Sequence, residues 1–252
     1  MRSSVLAVVL ILATCAGSAV AAQLDVEAIT LVDRSRARHV SVRLHFPVEA
    51  SPCLAQRSCP VAFISPGYGI PHTRYSFIAD TLAAQGYLAV AIQHDLPSDP
   101  PLNSKGDLVT IRTPAWQRGA ENLRFAKAEL SRLYPDHDWS ALTLIGHSNG
   151  GDISSLLLRD TPGFATGLIT LDHRRVPLPR SSSLKVLSIR ASDFEADPGV
   201  LPSEPEVAST GICIVEIPGS RHNDMTDDGP QPLKAQINTL ISRFIRTGGC
   251  GM

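Results

Sequence analysis

A short glycine-rich segment contains the serine best placed to act as a nucleophile. Ser148 lies in the sequence GHSNGG of residues 146–151, after the apolar run 142–145 and before a helical pattern that begins near Asp152. The spacing G-x-S-x-G between a strand and a helix is typical of a nucleophile elbow, a turn so tight that its flanking glycines must lack side chains. The following helix directs N–H groups and the positive end of its dipole toward a developing oxyanion. This context predicts acyl-transfer chemistry at Ser148 rather than an ordinary serine in a turn.

A serine hydroxyl needs a base, and the base expected here is a histidine. His222 lies in the sequence GSRHND of residues 219–224, after the last predicted strand, where the chain order serine, acid, histidine requires it. His147 lies in the elbow and is expected to point away, and His173 directly follows a candidate acid. The remaining histidines lie in or beside the N-terminal hairpin, in a polar turn, or in loops that could line a pocket: His39, His45, His72, His94 and His137. We therefore expect His222 to be the base.

Three aspartates could orient the histidine. Asp172 ends the strand after the elbow helix, Asp193 ends the next strand, and Asp197 lies further into the same loop. Each could instead cap a helix or stabilise a turn, which is the usual role of an aspartate after a strand. Because periodicity does not separate the first two, Asp172 and Asp193 both remain candidates at this point.

Two backbone N–H groups are expected to form an oxyanion hole. One should belong to Asn149, the residue after the nucleophile, and the other to the loop after the third strand, which has the sequence SPGYG at residues 65–69. Glycines on both sides of Tyr68 allow the backbone to turn its N–H inward, so Tyr68 is the predicted second donor. A plain surface turn is less expected here because the segment directly follows a buried strand.

Apolar runs that alternate with helical patterns must position these residues. Runs 26–32 and 40–46 flank a charged turn and predict an antiparallel hairpin. The later runs are almost continuously apolar, as expected for parallel strands buried on both faces: 61–65, 88–93, 142–145, 167–171, 185–189 and 212–217. Helical spacing of apolar residues occurs between them: around 78–82, 123–133, 153–157 and 233–244. The pattern predicts a doubly wound, mostly parallel eight-stranded α/β sheet with an antiparallel N-terminal hairpin and no large lid.

A proline-rich stretch, residues 97–114, is expected to form a long loop near the carboxyl ends of the strands. Open α/β sheets hold their ligands at those ends. We therefore expect this loop to lie close to the predicted site.

Composition excludes several functional classes. The chain has 252 residues, of which 43% are hydrophobic, and this is enough for one large domain with a sizeable core. Its 23 basic and 24 acidic residues nearly balance, which argues against an electrostatic nucleic-acid binder. The sequence has no Cys-x-x-Cys pair and no His-Glu-x-x-His motif, so we expect neither a metal nor another cofactor.

The first residues predict an export signal. Arg2 precedes the apolar run 5–13, and small residues at 19–21 form a cleavage site, with cutting after Ala21 or Ala22. Residues 1–21 are expected to be removed and 22–252 to form a single domain. A membrane anchor is less expected, and a lipoprotein signal at Cys15 is disfavoured by Thr14. The predicted location is periplasmic or secreted, with no membrane span in the mature chain.

Cysteine usage agrees with export. Cys15 leaves with the signal, and the even number that remains predicts two disulfides, for which three pairings exist. Local geometry favours a Cys53–Cys59 bridge across one loop and a Cys213–Cys250 bridge from a late strand to the C-terminus. In a loop-entropy treatment the second bridge contributes about 4 kcal/mol and the first about 2 kcal/mol.

Several short motifs follow one another along the chain: GYG at 67–69, RYS at 74–76, LA at 82–83, GY at 86–87, H at 94, GHSNGG at 146–151, LD at 171–172 and PLP at 177–179. In this order they are similar to the platelet-activating-factor acetylhydrolases of the α/β-hydrolase superfamily, and the chain also resembles the bacterial cutinase-like polyester hydrolases of that superfamily. The first resemblance implies that Asp172 is the acid, whereas the second implies Asp193. We favour Asp172. Arg174 and Arg175 depart from both patterns. They could receive an anionic group or pair with surface acids, and we favour solvated side chains.

Motif and resemblance together predict an exported serine hydrolase that cleaves carboxylic esters with short or accessible acyl groups. Ser148, His222 and Asp172 would form its triad, and the substrate would be a small-molecule or lipid-like ester. The protein is expected to be a monomer. Two alternatives remain: an amidase or lactone hydrolase with the same triad, or a non-catalytic binding protein. Lactonases of the dienelactone type usually carry cysteine in the elbow, which Ser148 does not match.

Overall fold

Eight strands form one sheet at the centre of the protein. The computed structural model describes residues 24–48, 51, 53, 56, 58–103 and 105–250, and the predicted signal peptide, residues 1–21, lies outside the described residues. The strands are β1 Val26–Asp33, β2 Arg38–His45, β3 Cys59–Ser65, β4 Leu88–Ile92, β5 His137–His147, β6 Gly167–Leu171, β7 Lys185–Arg190 and β8 Cys213–Glu216. Their order is β1-β2-β4-β3-β5-β6-β7-β8. β2 pairs antiparallel with β1 and with β4, and all other pairs are parallel. This confirms the predicted sheet.

The central strands bury both of their faces. In β3, Val61 and Phe63 contribute to one apolar core, and Ala62 and Ile64 contribute to the other. Successive side chains of a strand point to opposite faces. Strands covered on both faces therefore read as continuous apolar runs, which is why the sequence predicts them well.

Five α-helices have both of their ends within the described residues, and four of them cover the two faces of the sheet. The five are α1 Ser76–Ala84, α2 Leu108–Leu133, α3 Asn149–Asp160, α4 Glu204–Thr210 and α5 Gln231–Thr247. Helices α2 and α3 pack on one core, and α1 and α5 pack on the other. Each of these four helices has an apolar stripe at steps of three and four residues, as the sequence predicts.

The expectation of a loop over residues 97–114 is wrong in its second half, because α2 begins at Leu108. The carboxylate of Asp107 caps this helix by accepting the N–H groups of Val109 (3.1 Å) and Thr110 (3.3 Å). Pro114 lies inside the helix, where it costs one backbone hydrogen bond. The cap and the buried stripe that includes Trp116 outweigh that loss.

Helix α4 is not among the predicted helices, although the sequence carries a signal for it. Ser203 and Glu206 form a capping box, and Pro205 lies in the first turn. The helix has no buried residue. It therefore lacks the apolar periodicity by which the other helices are recognised.

Two disulfides close the periphery of the fold, Cys53–Cys59 and Cys213–Cys250. This is the pairing that local geometry favours. The second bridge joins the start of edge strand β8 to the segment after α5. No helix within the described ranges combines the length and the apolar character needed to cross a membrane.

Candidate active site

The predicted site residues lie at one edge of the sheet. Strands β3 and β5 to β8 run parallel, so their carboxyl ends lie together. The loop of residues 65–69 follows β3, Ser148 follows β5, and Asp172 follows β6. Asp193 and His222 lie in the loops after β7 and β8. The fold therefore brings residues from five separate loops to one edge.

Ser148 occupies a strained turn between β5 and α3. Its φ and ψ angles are 50° and −118°, a left-handed φ that side-chain-bearing residues rarely adopt. A Cβ on Gly146 would overlap the backbone of Gly150, and a Cβ on Gly150 would overlap the backbone of Ser65. The Ser148 N–H donates to the Leu171 carbonyl at 2.8 Å. Crowding on both sides explains why the two glycines are required.

His222 links the serine to a buried carboxylate. Its Nε2 lies 2.9 Å from Ser148 Oγ, and its Nδ1 lies 2.5 Å from Asp172 Oδ2. An ionised carboxylate only accepts, so Nδ1–H donates to Asp172 and Nε2 is left to accept the Ser148 hydroxyl proton. This is the tautomer that a general base for Ser148 requires.

Asp172 is completely buried and surrounded by donors and positive charge. Its Oδ1 lies 2.7 Å from an Arg190 guanidinium nitrogen and accepts the Ala191 N–H at 3.2 Å, and its Oδ2 accepts from Arg174 at 3.1 Å. Burial acts to raise the pKa of Asp172, but the His222 hydrogen bond and the charges of Arg190, His222 and Arg174 outweigh it and hold the pKa below its usual value. The Asp172 carboxyl is therefore ionised and able to accept the Nδ1–H of His222.

The other two candidate acids make different contacts. Asp193 Oδ1 accepts the backbone N–H of His222 at 2.8 Å, so it holds the main chain of that residue. Asp197 forms an ion pair with Arg175. Of the three aspartates, Asp172 is the one whose carboxylate contacts the His222 ring.

Of the two predicted oxyanion donors, Asn149 directly follows Ser148, and Tyr68 lies in the loop after β3. Asn149 is the first residue of α3, where a backbone N–H has no partner within the helix. Its side-chain oxygen accepts from Trp116 Nε1 at 2.8 Å. Tyr68 precedes Gly69, which has a φ of 72°, and its hydroxyl accepts the Leu102 N–H at 3.1 Å. Their role as oxyanion donors stays a prediction.

Asp152 is a site-forming residue that sequence reasoning missed. It lies in the first turn of α3, is 3% exposed, and accepts the N–H groups of Arg175 and Val176 at 2.9 Å each. Burial raises its pKa to about 6, against the effect of these hydrogen bonds. Asp152 thereby fastens the loop after Asp172 to the elbow helix. An acidic residue in a first helical turn usually indicates only a favourable dipole interaction, so the sequence gives no sign of this contact.

Asp227, also missed, anchors the loop that carries His222. Its two carboxylate oxygens accept the N–H groups of Ser76 and Phe77, at the start of α1, each at 2.9 Å. Met225, between His222 and Asp227, is fully buried. The loop that carries His222 is therefore held at Met225 and at Asp227.

The expectation that Arg174 and Arg175 are simply solvated is wrong, because each of them pairs with a carboxylate of the protein. Arg174 contacts Asp172, and its guanidinium carbon lies 4.0 Å from the centre of the Phe194 ring. Arg175 pairs with Asp197. His173 is fully buried, and its Nε2 lies 3.2 Å from the Val176 carbonyl oxygen.

The expectation that His147 points away from the site is wrong. Its ring centre lies 4.9 Å from that of His222, and its Nε2 lies 3.0 Å from the His222 carbonyl oxygen. The tight turn directs the serine toward solvent and the preceding side chain into the protein. There the His222 loop packs against it.

No protein-family model matches the chain, and no curated protein matches it. Among solved structures, the chain is similar to a ferulic acid esterase from Streptomyces cinnamoneus, with 19% identity and a TM-score of 0.59 over 93% of this chain and 81% of that one. It is similar to a fungal esterase from Rhizomucor miehei, with 11% identity and a TM-score of 0.63 over 90% and 83% of the two chains. A dienelactone hydrolase from Anabaena variabilis has 14% identity and a TM-score of 0.55 over 89% and 98%.

Identities this low reflect a common architecture and do not by themselves carry an activity from one chain to another. The eight-stranded, mostly parallel sheet, its flanking helices and these similarities agree with one another. The protein has the α/β-hydrolase fold.

Proposed function

We propose that this protein is an exported serine hydrolase that cleaves carboxylic esters. The observation that carries the proposal is the hydrogen-bonded series Asp172–His222–Ser148, with the serine held in a strained turn. A hydroxyl, an imidazole and a buried carboxylate in this order form the standard arrangement for acyl transfer. Nothing in a purely binding role requires it.

In the proposed first half-reaction, Ser148 Oγ attacks the ester carbonyl carbon while His222 Nε2 takes the hydroxyl proton. The carbonyl oxygen becomes an oxyanion, which the backbone N–H groups of Tyr68 and Asn149 stabilise. His222 then gives its proton to the leaving alkoxide. The ester C–O bond breaks, an alcohol departs, and the acyl group remains on Ser148.

In the second half-reaction, water takes the place of the alcohol. His222 removes a proton from water as its oxygen attacks the acyl carbon, and the same proton returns to Ser148 Oγ when the acyl–oxygen bond breaks. A carboxylic acid leaves, and the free enzyme is restored. In both half-reactions Asp172 stabilises the imidazolium form of His222, and it also keeps the neutral ring in the tautomer with hydrogen on Nδ1.

Two features support esters with short or accessible acyl groups as the substrates. The connection between β6 and β7, residues 172–184, contains no helix or strand, so this segment provides no lid. Two of the similar structures are named as esterases. The similar dienelactone hydrolase makes a lactone a second class to test, although the serine in the elbow favours open-chain esters.

Export is supported by the two disulfides, since such bonds persist in oxidising compartments. The predicted signal peptide at residues 1–21 also favours export. Together they favour a periplasmic or secreted enzyme.

The test is hydrolysis of p-nitrophenyl esters, from acetate to dodecanoate, by purified mature protein and two variants. Ser148→Ala should lower kcat by about 10⁶-fold, because the nucleophile and its proton transfer are lost together. Ser140→Ala is the matched control, since it removes an exposed serine hydroxyl at the other end of β5. The control should keep full activity.

Covalent labelling gives a second readout. A fluorophosphonate should modify the wild type at Ser148 and leave Ser148→Ala unmodified. A folded wild type that neither hydrolyses any ester nor takes up the label would overturn the proposal. Labelling at Ser148 together with cleavage of amides or lactones, and not of open-chain esters, would replace the ester class and keep the mechanism.

A further inference from the structure

A buried chain of hydrogen bonds beside the triad joins three loops of the site. The Gly67 N–H donates to the Tyr75 hydroxyl oxygen at 3.0 Å. That oxygen lies 2.8 Å from His147 Nδ1, and His147 Nε2 lies 3.0 Å from the His222 carbonyl oxygen. Tyr75 and His147 are each only 1% exposed. These hydrogen bonds therefore run from the loop of residues 65–69, here called the oxyanion loop, through the residue before the nucleophile, to the backbone of His222.

The direction of every proton in this chain follows from its two ends. A carbonyl oxygen can only accept, so His147 Nε2 carries the hydrogen that is donated to His222. Burial lowers the pKa of His147 to about 3, so the ring is neutral and its Nδ1 is an acceptor. Tyr75 must then donate its hydroxyl proton to Nδ1 and accept from Gly67. The donor and the acceptor of every hydrogen bond in this series are therefore defined.

The glycine at position 67 is part of the same arrangement. A Cβ there would lie 3.0 Å from His147 Nδ1, which is too close for an ordinary contact. A side chain at position 67 would require the His147 ring or the oxyanion loop to move by a few tenths of an ångström. The close packing of Gly67 on the His147 ring and its hydrogen bond to Tyr75 both favour the observed position of this loop.

We propose that Tyr75 and His147 are positioning residues that set the oxyanion loop against the catalytic base. The inference rests on the proposed function. At one end, the Tyr75 oxygen fixes the peptide that precedes the predicted donor Tyr68. At the other end, His147 holds the carbonyl of His222, whose N–H is held by Asp193 at 2.8 Å. His147 adjoins Ser148 at the end of β5. The positions of the Tyr68 donor, Ser148 and His222 therefore all depend on the end of this strand.

The first test is Tyr75→Phe, which removes one oxygen and keeps the ring. The Gly67 N–H and His147 Nδ1 both lose their partner, so the oxyanion loop should shift. We expect kcat to fall by about 10- to 100-fold with KM within about twofold, since small misplacements of reacting groups act on the chemical step. Tyr134→Phe is the matched control, because it removes a hydroxyl that donates to Glu27 at 3.0 Å, away from the site. Its kcat should not change.

His147 provides a second pair of variants in case Tyr75→Phe folds poorly. The amide of His147→Gln can still donate to the His222 carbonyl and accept from Tyr75, whereas His147→Leu can do neither. Partial rescue of kcat by Gln relative to Leu, at matched thermal stability, is expected. Equal kcat for the two variants would contradict the positioning role.

A spectroscopic measurement on the wild type does not depend on turnover. ¹⁵N-edited spectra of the histidine rings should show His147 neutral from pH 5 to pH 8, with hydrogen on Nε2 and none on Nδ1, and Tyr75→Phe should shift its Nδ1 resonance. Hydrogen on Nδ1, or a Tyr75→Phe kcat equal to that of Tyr134→Phe in an active enzyme, would overturn this inference alone. A wild type inactive on every ester and unlabelled at Ser148 would instead overturn the proposed function.

Discussion

At the scale of single residues, Asp172 combines full burial with contacts to two guanidinium groups and a histidine ring. An unpaired charge in this position would be strongly destabilising, and removing one partner of such a cluster leaves the others uncompensated. Arg190, which is itself buried, also donates to the carbonyl of His173 at 2.5 Å. The Asp172 carboxyl that contacts His222 is therefore kept ionised by the two guanidinium groups beside it.

Substitution of the two main candidate acids should separate their roles. Asp172→Asn should lower kcat by about 10⁴-fold, because an amide no longer enforces the His222 tautomer or stabilises the imidazolium. Asp193→Asn keeps an oxygen that can accept the His222 N–H, so its kcat should fall by less than about tenfold. The measurement is kcat and KM on the best p-nitrophenyl ester. A larger loss for Asp193→Asn than for Asp172→Asn would reverse the assignment.

The two aspartates also show where residue-level prediction from sequence stops. Both follow buried strands, so strand periodicity alone does not separate them. What distinguishes them is that Asp172 reaches the His222 ring and Asp193 reaches its backbone. That difference depends on how the loop after β8 lies across the ends of β6 and β7, which local sequence does not encode.

At the scale of elements, the site loops are fastened to the helices by buried carboxylates. Asp152 of α3 holds the loop after Asp172, and Asp227 holds the His222 loop against the start of α1. Two N–H groups converge on each carboxylate, which satisfies buried or half-buried donors that would otherwise be unpaired. The loops can therefore be irregular and still hold their side chains in place.

Asp152 offers a test of this fastening. Asp152→Ala leaves the N–H groups of Arg175 and Val176 without an acceptor, and should lower the free energy of unfolding by about 2–4 kcal/mol. Asp152→Asn keeps one acceptor oxygen and should lose much less. Urea unfolding of the three proteins checks this, with kcat measured alongside because the same loop carries Asp172. Equal stability of the Ala and Asn variants would show that the two N–H groups find other partners.

At the scale of the whole molecule, histidine burial makes stability depend on pH. Burial lowers the pKa values of His94, His147 and His173 to about 3 each. Between about pH 6.5 and pH 3 the unfolded chain binds these protons and the folded chain does not, so their contribution is fully present above about pH 6.5 and is lost as pH falls. Asp152, whose pKa is raised to about 6, binds its proton in the folded state and opposes this trend.

Burial also lowers the pKa values of His45, His72 and His137, whereas it raises that of Asp95 as it does that of Asp152. More histidines gain a proton on unfolding near pH 5 than carboxylates lose one, so the free energy of unfolding should fall as the pH decreases from 6 to 4. Urea unfolding at pH 7, 6, 5 and 4 measures the slope. His94→Gln, which can still bond to Ser65 in place of the ring (2.9 Å in the wild type), should show a slope smaller by about one proton. A free energy that stays constant over this range would contradict the assignment of neutral buried rings.

The sequence by itself determined the sheet, most of the helices and the segment that contains Ser148. These depend on local patterns: apolar runs for strands buried on both faces, steps of three and four for helices, and two glycines where a Cβ would strike backbone. Only the tertiary structure decided which aspartate meets the His222 ring, that His147 lies beside His222, and that Asp152 and Asp227 anchor the loops. The physical reason is that these contacts join residues from separate loops and elements. They form only after the sheet has brought its carboxyl ends together, and they leave no periodic trace in the chain.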